Sequence, residues 1–578
     1  MFIINQIQTY AKKCKNPLSI TILVTFVLGG AIDSFGAYAA CAAALGFSAF
    51  YIYQSKKFWV GFSLPVIIAC VLALGNLVST FYAVDKGMAL LGFFRIFSVI
   101  AFMFLMYQHI YQSGNRNENT DVWAIVPITG ALSVIVAVCG VGISFFTSNL
   151  PFFQNGRFGG VFEYANTFAL WLLLGLVILA FKEKLEKIDY VLFALNICGI
   201  FLTISRSMLI LTAATLIFIF VIRKDSRKMI VTMSGAGFTV GLLISALIGA
   251  LVGVGELGRL AETPGQAGEW LSRLVYYRDA LPQIIKKPFG MGYLGYWYSQ
   301  PMWQTAFYET RFVHSSLLQF ALDIGILPAL LISGLGVFMI FRKKTPLMER
   351  LILILVLGHS LIDIDLEFLI LIFVVCLCVK PAPGRAKPVP ARIPAAILSL
   401  LVPLFIYLGV AAFSAERGNG IQAVTMYPGY TEASEKQMIM APDLDSSAVF
   451  AQRVLEGNQY NFVAIDALAR VCYRDGDYKL AAILKSKSLE INRMFADDYL
   501  ELLEICTAGY NSELARENRQ GAEYYRQMLV SIPDRINTVI NTLSVDAYRL
   551  IHTPELEIPE SAAGYIEFMR QTGAENNK

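Results

Sequence analysis

A histidine at a boundary between polar and apolar sequence is the residue of this chain best placed to do chemistry. In the sequence, His314 stands at the first turn of a long predicted apolar helix, 313–341, directly after a long polar segment, 256–312. Ionisable groups at the edge of an apolar body are costly to place there and are usually functional. Imidazole is also the side chain best suited to moving a proton near neutral pH. The pattern therefore predicts a proton-transfer group at this boundary.

Five arginines form a second group of candidates. Arg206 lies in a short turn between two apolar segments, and Arg157 directly precedes another apolar segment. Arg273 and Arg278 lie in the long polar segment. Arg95 lies inside an apolar segment, where it needs a partner or an aqueous cavity. An arginine at such a boundary can simply anchor a helix end at a membrane surface, but converging guanidinium groups suit a phosphate or diphosphate, which accepts paired hydrogen bonds.

Acidic residues in the apolar half of the chain have two open interpretations. Asp363 and Asp365, with His359 one helical turn earlier, can be read as a metal site or as a buried polar brace, and we favour the brace. Asp323, within the apolar run after His314, is either a structural hydrogen-bonding group or the partner of Arg95. We predict no metal and no cofactor.

Composition places these residues in a membrane protein. The chain has 578 residues, of which 56% are hydrophobic and 16% are charged, whereas soluble domains carry about 25% charged residues. About 20 apolar residues cross a bilayer. The sequence predicts thirteen apolar crossings, some of them short, at 18–32, 35–53, 58–80, 89–111, 122–145, 165–181, 188–204, 207–222, 229–253, 313–341, 349–362, 366–379 and 393–413.

Lysine and arginine predict the orientation. They concentrate in alternate connections, on the same side as the basic N-terminus, and this side is cytoplasmic by the positive-inside rule. The other connections are short or nearly neutral, apart from 256–312. The net charge of +4 adds little to this. We therefore expect a transmembrane domain at 1–413, with the 256–312 loop and a soluble region, 414–578, on the outer side.

The soluble region has helical-repeat features. Amphipathic sequence before and after the turn Asp475–Tyr478 resembles a tetratricopeptide unit, and Cys472 and Cys506 are separated by the 34-residue length of that repeat. The two cysteines are either equivalent buried thiols, the interpretation that we favour, or a disulfide. Such a domain more often binds or braces another structure than performs chemistry.

Several motifs together resemble the O-antigen ligase and O-antigen polymerase superfamily. The resemblance covers about 85–380 and rests on four patterns that follow one another along the chain. They are Arg157, Gly160 and Asn166; Ser205-Arg206; Arg273, Ala280, Pro288, Gly290 and Gly292; and His314-Ser315 with Gly325. A later pattern, His359-Ser360 with Asp363, also matches. Pro328 replaces the small or β-branched residue of the family, a minor departure.

The resemblance implies an all-α, GT-C-like bundle of about thirteen transmembrane helices that transfers a glycan from undecaprenyl diphosphate, without a metal and with inversion. By this resemblance, Arg206 and Arg273 hold the diphosphate, and His314 takes the proton of the acceptor hydroxyl. The further substrate-binding candidates are Arg157, Asn166, Arg95, Arg278, Ser315 and Asp363.

Several functions and partners remain open at this level. The acceptor is another lipid-linked repeat unit, which we favour, or lipid A core in a ligase, or a protein. Rival classes are a lipid or polysaccharide transporter, which should place ionisable groups near the bilayer midplane, and a scaffold. The expected partners are the lipid-linked glycan, the bilayer of a bacterial inner membrane and other polysaccharide assembly proteins, with no nucleic acid.

Overall fold

The computed structural model describes residues 16–61, 64–112, 122–144, 152–154, 157–252, 268–379 and 386–575. Nearly all regular structure in these residues is helical, in agreement with the predicted all-α class. The start of the polar loop, up to residue 267, and the basic N-terminus lie outside the described residues.

Apolar helices build the N-terminal two thirds of the chain. They are α1 Pro17–Val27, α2 Ser34–Ser55, α3 Leu64–Ser79, α4 Lys86–Gln112, α5 Ile125–Ser144, α6 Ala165–Ala180, α7 Lys187–Leu202, α8 Arg206–Ile222 and α9 Arg227–Val252. The loop contributes α10 Gly268–Lys286 and α11 Gly295–Ser299, and the apolar part resumes with α12 Ser316–Ile324, α13 Ile326–Phe341, α14 Leu347–His359, α15 Leu369–Cys378 and α16 Arg392–Glu416. Short 3-10 turns lie at Gly29–Ala31, Gly160–Phe162, Lys224–Ser226, Gln300–Met302 and Asp365–Glu367.

Among the described residues, four helices are long and apolar enough to cross a membrane by length and composition, at Ser34–Ser55, Lys86–Tyr111, Lys224–Ile248 and Arg392–Glu416. The same part of the chain contains seven shorter apolar helices. The helix positions follow the predicted apolar segments closely, which indicates a membrane protein. The number of thirteen crossings stays a prediction.

Two predicted segments differ from the structure. The segment 313–341 is two helices, because Gly325 has a φ of +95° and breaks the run between α12 and α13. The segment 58–80 begins with a strand, β1 Lys57–Gly61, which pairs antiparallel with β4 Ala386–Pro390. Lys56, in the left-handed conformation, ends α2 just before this strand, and the two prolines of β4 disfavour a helix there. A second antiparallel pair consists of β2 Phe153–Gln154 and β3 Arg157–Phe158.

The C-terminal region is a succession of helices that pack on their neighbours. They are α17 Gly420–Met426, α18 Thr431–Ile439, α19 Leu444–Gly457, α20 Phe462–Arg474, α21 Tyr478–Ile491, α22 Ala496–Ala515, α23 Arg519–Ile540, α24 Asp546–Arg549 and α25 Glu560–Glu575. Val424, Tyr430 and Ala433 belong to the large apolar core of the membrane part, whereas α21 to α25 have a core of their own. Cys472 and Cys506 are free thiols in this second core.

The second core also holds the polar loop. The ring of Phe307 meets the ring of Phe495 edge-on, with the two centroids 4.8 Å apart. Arg493 donates to the Gln304 carbonyl at 3.0 Å, and the Ser544 N–H donates to the Thr305 carbonyl at 2.8 Å. The C-terminal helices therefore lie on the same side of the molecule as the loop and brace it.

Candidate active site

His314 stands immediately before α12 in a strained backbone conformation. Ser315 is the N-cap of α12 and its hydroxyl accepts the Leu318 N–H at 3.5 Å, so His314 lies just outside the helix. Its φ is +55°, a value that non-glycine residues rarely adopt and that often marks a functional position. The Tyr277 hydroxyl donates to the His314 carbonyl at 2.7 Å and fixes this conformation. The His314 side chain is 23% exposed, which leaves it accessible to a substrate.

Asp363 contacts several of the candidate residues, which come from separate parts of the chain. Its side chain is fully buried and lies in the turn between α14 and α15. One carboxylate oxygen, Oδ1, accepts the Tyr164 hydroxyl at 2.6 Å and lies 3.8 Å from His314 Nδ1. The other oxygen, Oδ2, accepts the Asn166 amide at 2.8 Å and lies 3.2 Å from Nη1 of Arg273. We call these five residues the Asp363 cluster.

Arg157 extends this cluster to the turn that carries Arg206. Arg157 donates to the Asn166 side-chain oxygen at 2.8 Å and to the Thr203 carbonyl at 3.2 Å. The Ser205 hydroxyl donates to the same Asn166 oxygen at 2.8 Å. Arg206, half-buried, is the next residue and the first of α8. The start of α8 is thus held beside the cluster.

Burial and charge set the protonation states in the cluster. Burial alone would raise the pKa of Asp363, but its interaction with His314 and the positive charge of Arg273 lower that pKa below its ordinary value. Burial raises the pKa of Tyr164, and the neighbouring Asp363 charge raises it further. Burial also raises the pKa of Tyr277, to about 12. Asp363 is therefore an ionised acceptor, and both tyrosines are protonated donors.

Glycines explain how the loop is joined to the histidine helix. Gly290 and Gly292 have φ values of +91° and +81°. Met291 lies between these glycines, and its N–H donates to the Leu322 carbonyl at 2.6 Å. The Gly292 N–H donates to the Asp323 carbonyl at 3.0 Å. A Cβ on Gly325 would lie 2.6 Å from the Pro288 carbonyl oxygen. The glycines allow the segment that follows α10, the helix that carries Arg273, to pack directly on the end of α12. This packing helps to fix the spacing between Arg273 and His314.

Arg95 and Arg278 contact neither the Asp363 cluster nor the residues beside it. Arg95 is buried, with its Nη1 3.3 Å from Oε2 of Glu367, and it also donates to the Glu367 carbonyl. Arg278 lies 3.2 Å from Asp546 and donates to Thr305 Oγ1 at 2.7 Å, so it joins the loop to the C-terminal helices. Glu367, and not Asp323, is the acid that pairs with Arg95; Asp323 accepts the Gln319 amide at 2.9 Å.

His359 and Asp365 pair with each other. His359 Nδ1 lies 2.6 Å from Asp365 Oδ2, and Thr167 donates to Asp365 Oδ1 at 2.8 Å. This contact fits the polar-brace interpretation, because Asp365 joins His359 at the end of α14 to Thr167 in α6.

Tyr164 and Tyr277 were not predicted from the sequence. Tyr277 follows Arg273 by four residues, a spacing that puts both on one face of α10, and this signal could have identified it. Tyr164 precedes Asn166 by two residues but carries no pattern of its own, so only its contact with Asp363 reveals it.

Comparison with known proteins gives one family match. Residues 191–333, about a quarter of the chain, match the model of the O-antigen ligase family. The matched part contains Arg206, Arg273 and His314, but ends before Asp363. A search of curated proteins and a search of solved structures found no match. The match supports the resemblance to the O-antigen ligase and polymerase superfamily, with Arg157, Asn166 and Asp363 added by the geometry.

Proposed function

We propose that this chain is a membrane glycosyltransferase that transfers an oligosaccharide from an undecaprenyl-diphosphate carrier. One observation carries the proposal. The buried Asp363 carboxylate lies within 3.8 Å of both a histidine and an arginine that come from different elements, His314 before α12 and Arg273 in α10. A buried carboxylate in this position can orient a proton acceptor and a cation toward the same substrate. The match to the O-antigen ligase family is the second support.

His314 is the proposed general base. The Asp363 carboxylate faces Nδ1 of the ring, 3.8 Å away, and favours the tautomer that carries its proton on Nδ1. The lone pair is then on Nε2, where it takes the proton of the acceptor hydroxyl as the new bond forms. The gap tightens on substrate binding, since such contacts are often long in the free enzyme.

The arginines are the proposed diphosphate site. Asp363 and the Ile362 carbonyl both engage Nη1 of Arg273, so Nε and Nη2 remain as donors for a diphosphate oxygen. Arg206 supplies a second guanidinium from the start of α8, and Arg157, Asn166 and Ser315 complete the substrate-binding set. We keep Arg95 and Arg278 as weaker candidates, because each is engaged elsewhere.

The proposed reaction is a single displacement. The acceptor oxygen bonds to the anomeric carbon from the face opposite the leaving group, while the bond from that carbon to the diphosphate oxygen breaks and its electron pair leaves with the diphosphate. The acceptor proton goes to His314, and the arginines offset the charge that develops on the diphosphate. This step inverts the anomeric carbon and requires no metal.

We further propose that the site opens on the outer face of a bacterial inner membrane. The loop and the C-terminal helices lie together with the site, and basic residues concentrate in the connections of the opposite side. The N-terminus is then cytoplasmic, and the C-terminal region, with its tetratricopeptide-like pattern, is extracytoplasmic.

A polymerase is the favoured activity, because an external helical region suits the handling of a growing chain. The test is to incubate purified protein with one lipid-linked repeat unit and no other acceptor. Stepwise elongation on a gel is the expected result. Inertness with the repeat unit alone, but transfer after lipid A core or an acceptor protein is added, would instead identify a ligase or a protein glycosyltransferase.

A further inference from the structure

A polar cleft, separate from the Asp363 cluster, lies at the junction of the membrane part, the loop and the C-terminal helices. Its volume is about 220 Å³. The polar residues that line it are Asp33, Ser34, Arg311, Glu416, Tyr430, Glu432 and Lys436. None of them belongs to the Asp363 cluster.

The cleft is adjacent to the Asp363 cluster. Arg311 and Phe312 line it and precede His314 by three and two residues, so the Cα of Arg311 lies within roughly 11 Å of that of His314. On the opposite wall, Asp33 is close enough to Glu163 for their charges to interact, and Glu163 directly precedes Tyr164. Arg311 and Phe312 therefore connect the cleft directly to the segment that carries His314.

Carboxylates dominate the chemistry of the cleft. Arg311 and Glu432 neutralise each other through a contact of 2.7 Å. The remaining charged side chains are the acids Asp33 and Glu416 and the base Lys436. This balance disfavours a phosphate, in contrast to the arginines near Asp363.

The two unpaired acids are held in place by the backbone. Asp33 Oδ1 accepts the Gly36 N–H at 2.7 Å, and Glu416 Oε1 accepts the Phe35 N–H at 3.2 Å. A carboxylate has about four acceptor positions, so both keep capacity for further hydroxyl donors. Phe312 and Tyr430 add apolar surface beside them. Oriented carboxylates next to aromatic rings suit a ligand that carries several hydroxyl groups on an apolar ring, which is a saccharide.

We propose that this cleft binds a neutral or amino sugar of the acceptor glycan and presents its hydroxyl to His314. The proposal rests on the proposed glycosyl transfer, and it assigns the acceptor to a site that the membrane part and the C-terminal helices form jointly. Donor and acceptor are then separated by charge, with the diphosphate at the arginines and the sugar at the carboxylates.

The test measures binding of the lipid-free oligosaccharide that mild acid releases from the lipid-linked repeat unit. Full-length protein in nanodiscs is examined by saturation-transfer NMR. The variants are Asp33→Asn and Glu416→Gln, singly and together, which remove the charge but keep an oxygen for the Gly36 and Phe35 N–H groups. We expect Kd to rise at least tenfold in the double variant. Glu456→Gln, an exposed site away from the cleft, should leave Kd unchanged, and so should His314→Ala.

Each outcome bears on the cleft separately from the chemistry. Absence of binding to the wild-type protein, or an unchanged Kd in the double variant, would overturn the acceptor site. Binding that the double variant loses, in a protein that transfers no glycan under any condition, would support the saccharide site and reject the proposed transfer instead.

Discussion

At the scale of single residues, the site is built around one buried carboxylate. Asp363 is ionised, because His314 and Arg273 lower its pKa against the effect of burial. It orients a potential base and a potential diphosphate ligand at the same time. Removing one partner from such a buried set is costly, since the remaining charge is left without compensation. This explains why the cluster recruits Tyr164 and Asn166 as additional donors.

Replacement of His314 by alanine should stop transfer without affecting membrane insertion. Loss of a general base commonly lowers a rate by about 10²–10⁴-fold, and we expect a loss of that size in elongation of the lipid-linked unit. His552→Ala, at an exposed C-terminal position, is the matched control and should retain full activity. Normal glycan banding in the His314 variant would exclude the base role.

Replacement of Arg206 by lysine should be nearly as damaging as replacement by alanine. A lysine keeps the charge but cannot form the planar pair of hydrogen bonds that a diphosphate accepts. We expect both variants to lose about 10²-fold or more in kcat/KM for the lipid-linked donor, as for removal of a transition-state donor. Arg519→Ala, at an exposed position of the C-terminal region, serves as control. Full activity with lysine would indicate that only a positive charge is required.

At the scale of elements, glycines set the distance between the loop and the histidine helix. The loop that carries Arg273 returns through Pro288 to Gly292 and hydrogen-bonds to the last residues of α12. The Ile326 N–H donates back to the Pro288 carbonyl at 2.9 Å. α10 and α12 are therefore tied together at one end by the backbone and at the other by the Tyr277 contact to His314.

Gly325→Ala should lower both the thermal midpoint and the transfer rate. Its Cβ would meet the Pro288 oxygen at 2.6 Å and the Phe289 carbonyl carbon at 2.8 Å, both of them backbone atoms, and its φ of +95° is unfavourable for alanine. Gly334→Ala is the control within the next helix, since its Cβ meets nothing within 4 Å and alanine favours a helix by about 1 kcal/mol. We expect at least a tenfold loss of rate for Gly325→Ala alone. Equal behaviour of the two variants would show that the loop does not need this close packing.

At the scale of the whole molecule, the C-terminal helices are part of the support for the site. They contact the loop through Phe495, Arg493 and Ser544, and their first two helices share the apolar core of the membrane part. The cleft at this junction is lined by Arg311 and Phe312, which precede His314 by three and two residues. The C-terminal helices would then both support the loop and help to bind the acceptor, which would couple binding of the growing glycan to its transfer.

Phe495→Ala should loosen the loop and slow transfer without abolishing it. The substitution removes the ring that meets Phe307 edge-on at 4.8 Å, so the segment between α10 and α12 should become more sensitive to limited proteolysis. We expect a threefold to tenfold drop in the elongation rate. Phe568→Ala, at a ring that is 61% exposed, should change neither proteolysis nor rate. Unchanged proteolysis in the Phe495 variant would contradict the bracing role.

The sequence by itself determined the helical class, the positions of most apolar helices and the main chemical candidates. Apolar runs and their breaks are local properties, and an isolated histidine or arginine beside such a run is visible without a structure. It did not reveal the pairing of β1 with β4, because pairing of residues more than 300 positions apart leaves no local pattern.

Only the tertiary structure decided which candidates act together. Arg157, Asn166, Arg273, His314 and Asp363 come together because helices from distant parts of the chain end on the same side. The sequence offered Arg95 as a candidate on the same grounds as the other arginines. In the structure, however, Arg95 pairs with Glu367, 272 positions away, inside the core. Partners of this kind are selected by packing and by the need to compensate a buried charge, and neither depends on sequence neighbours.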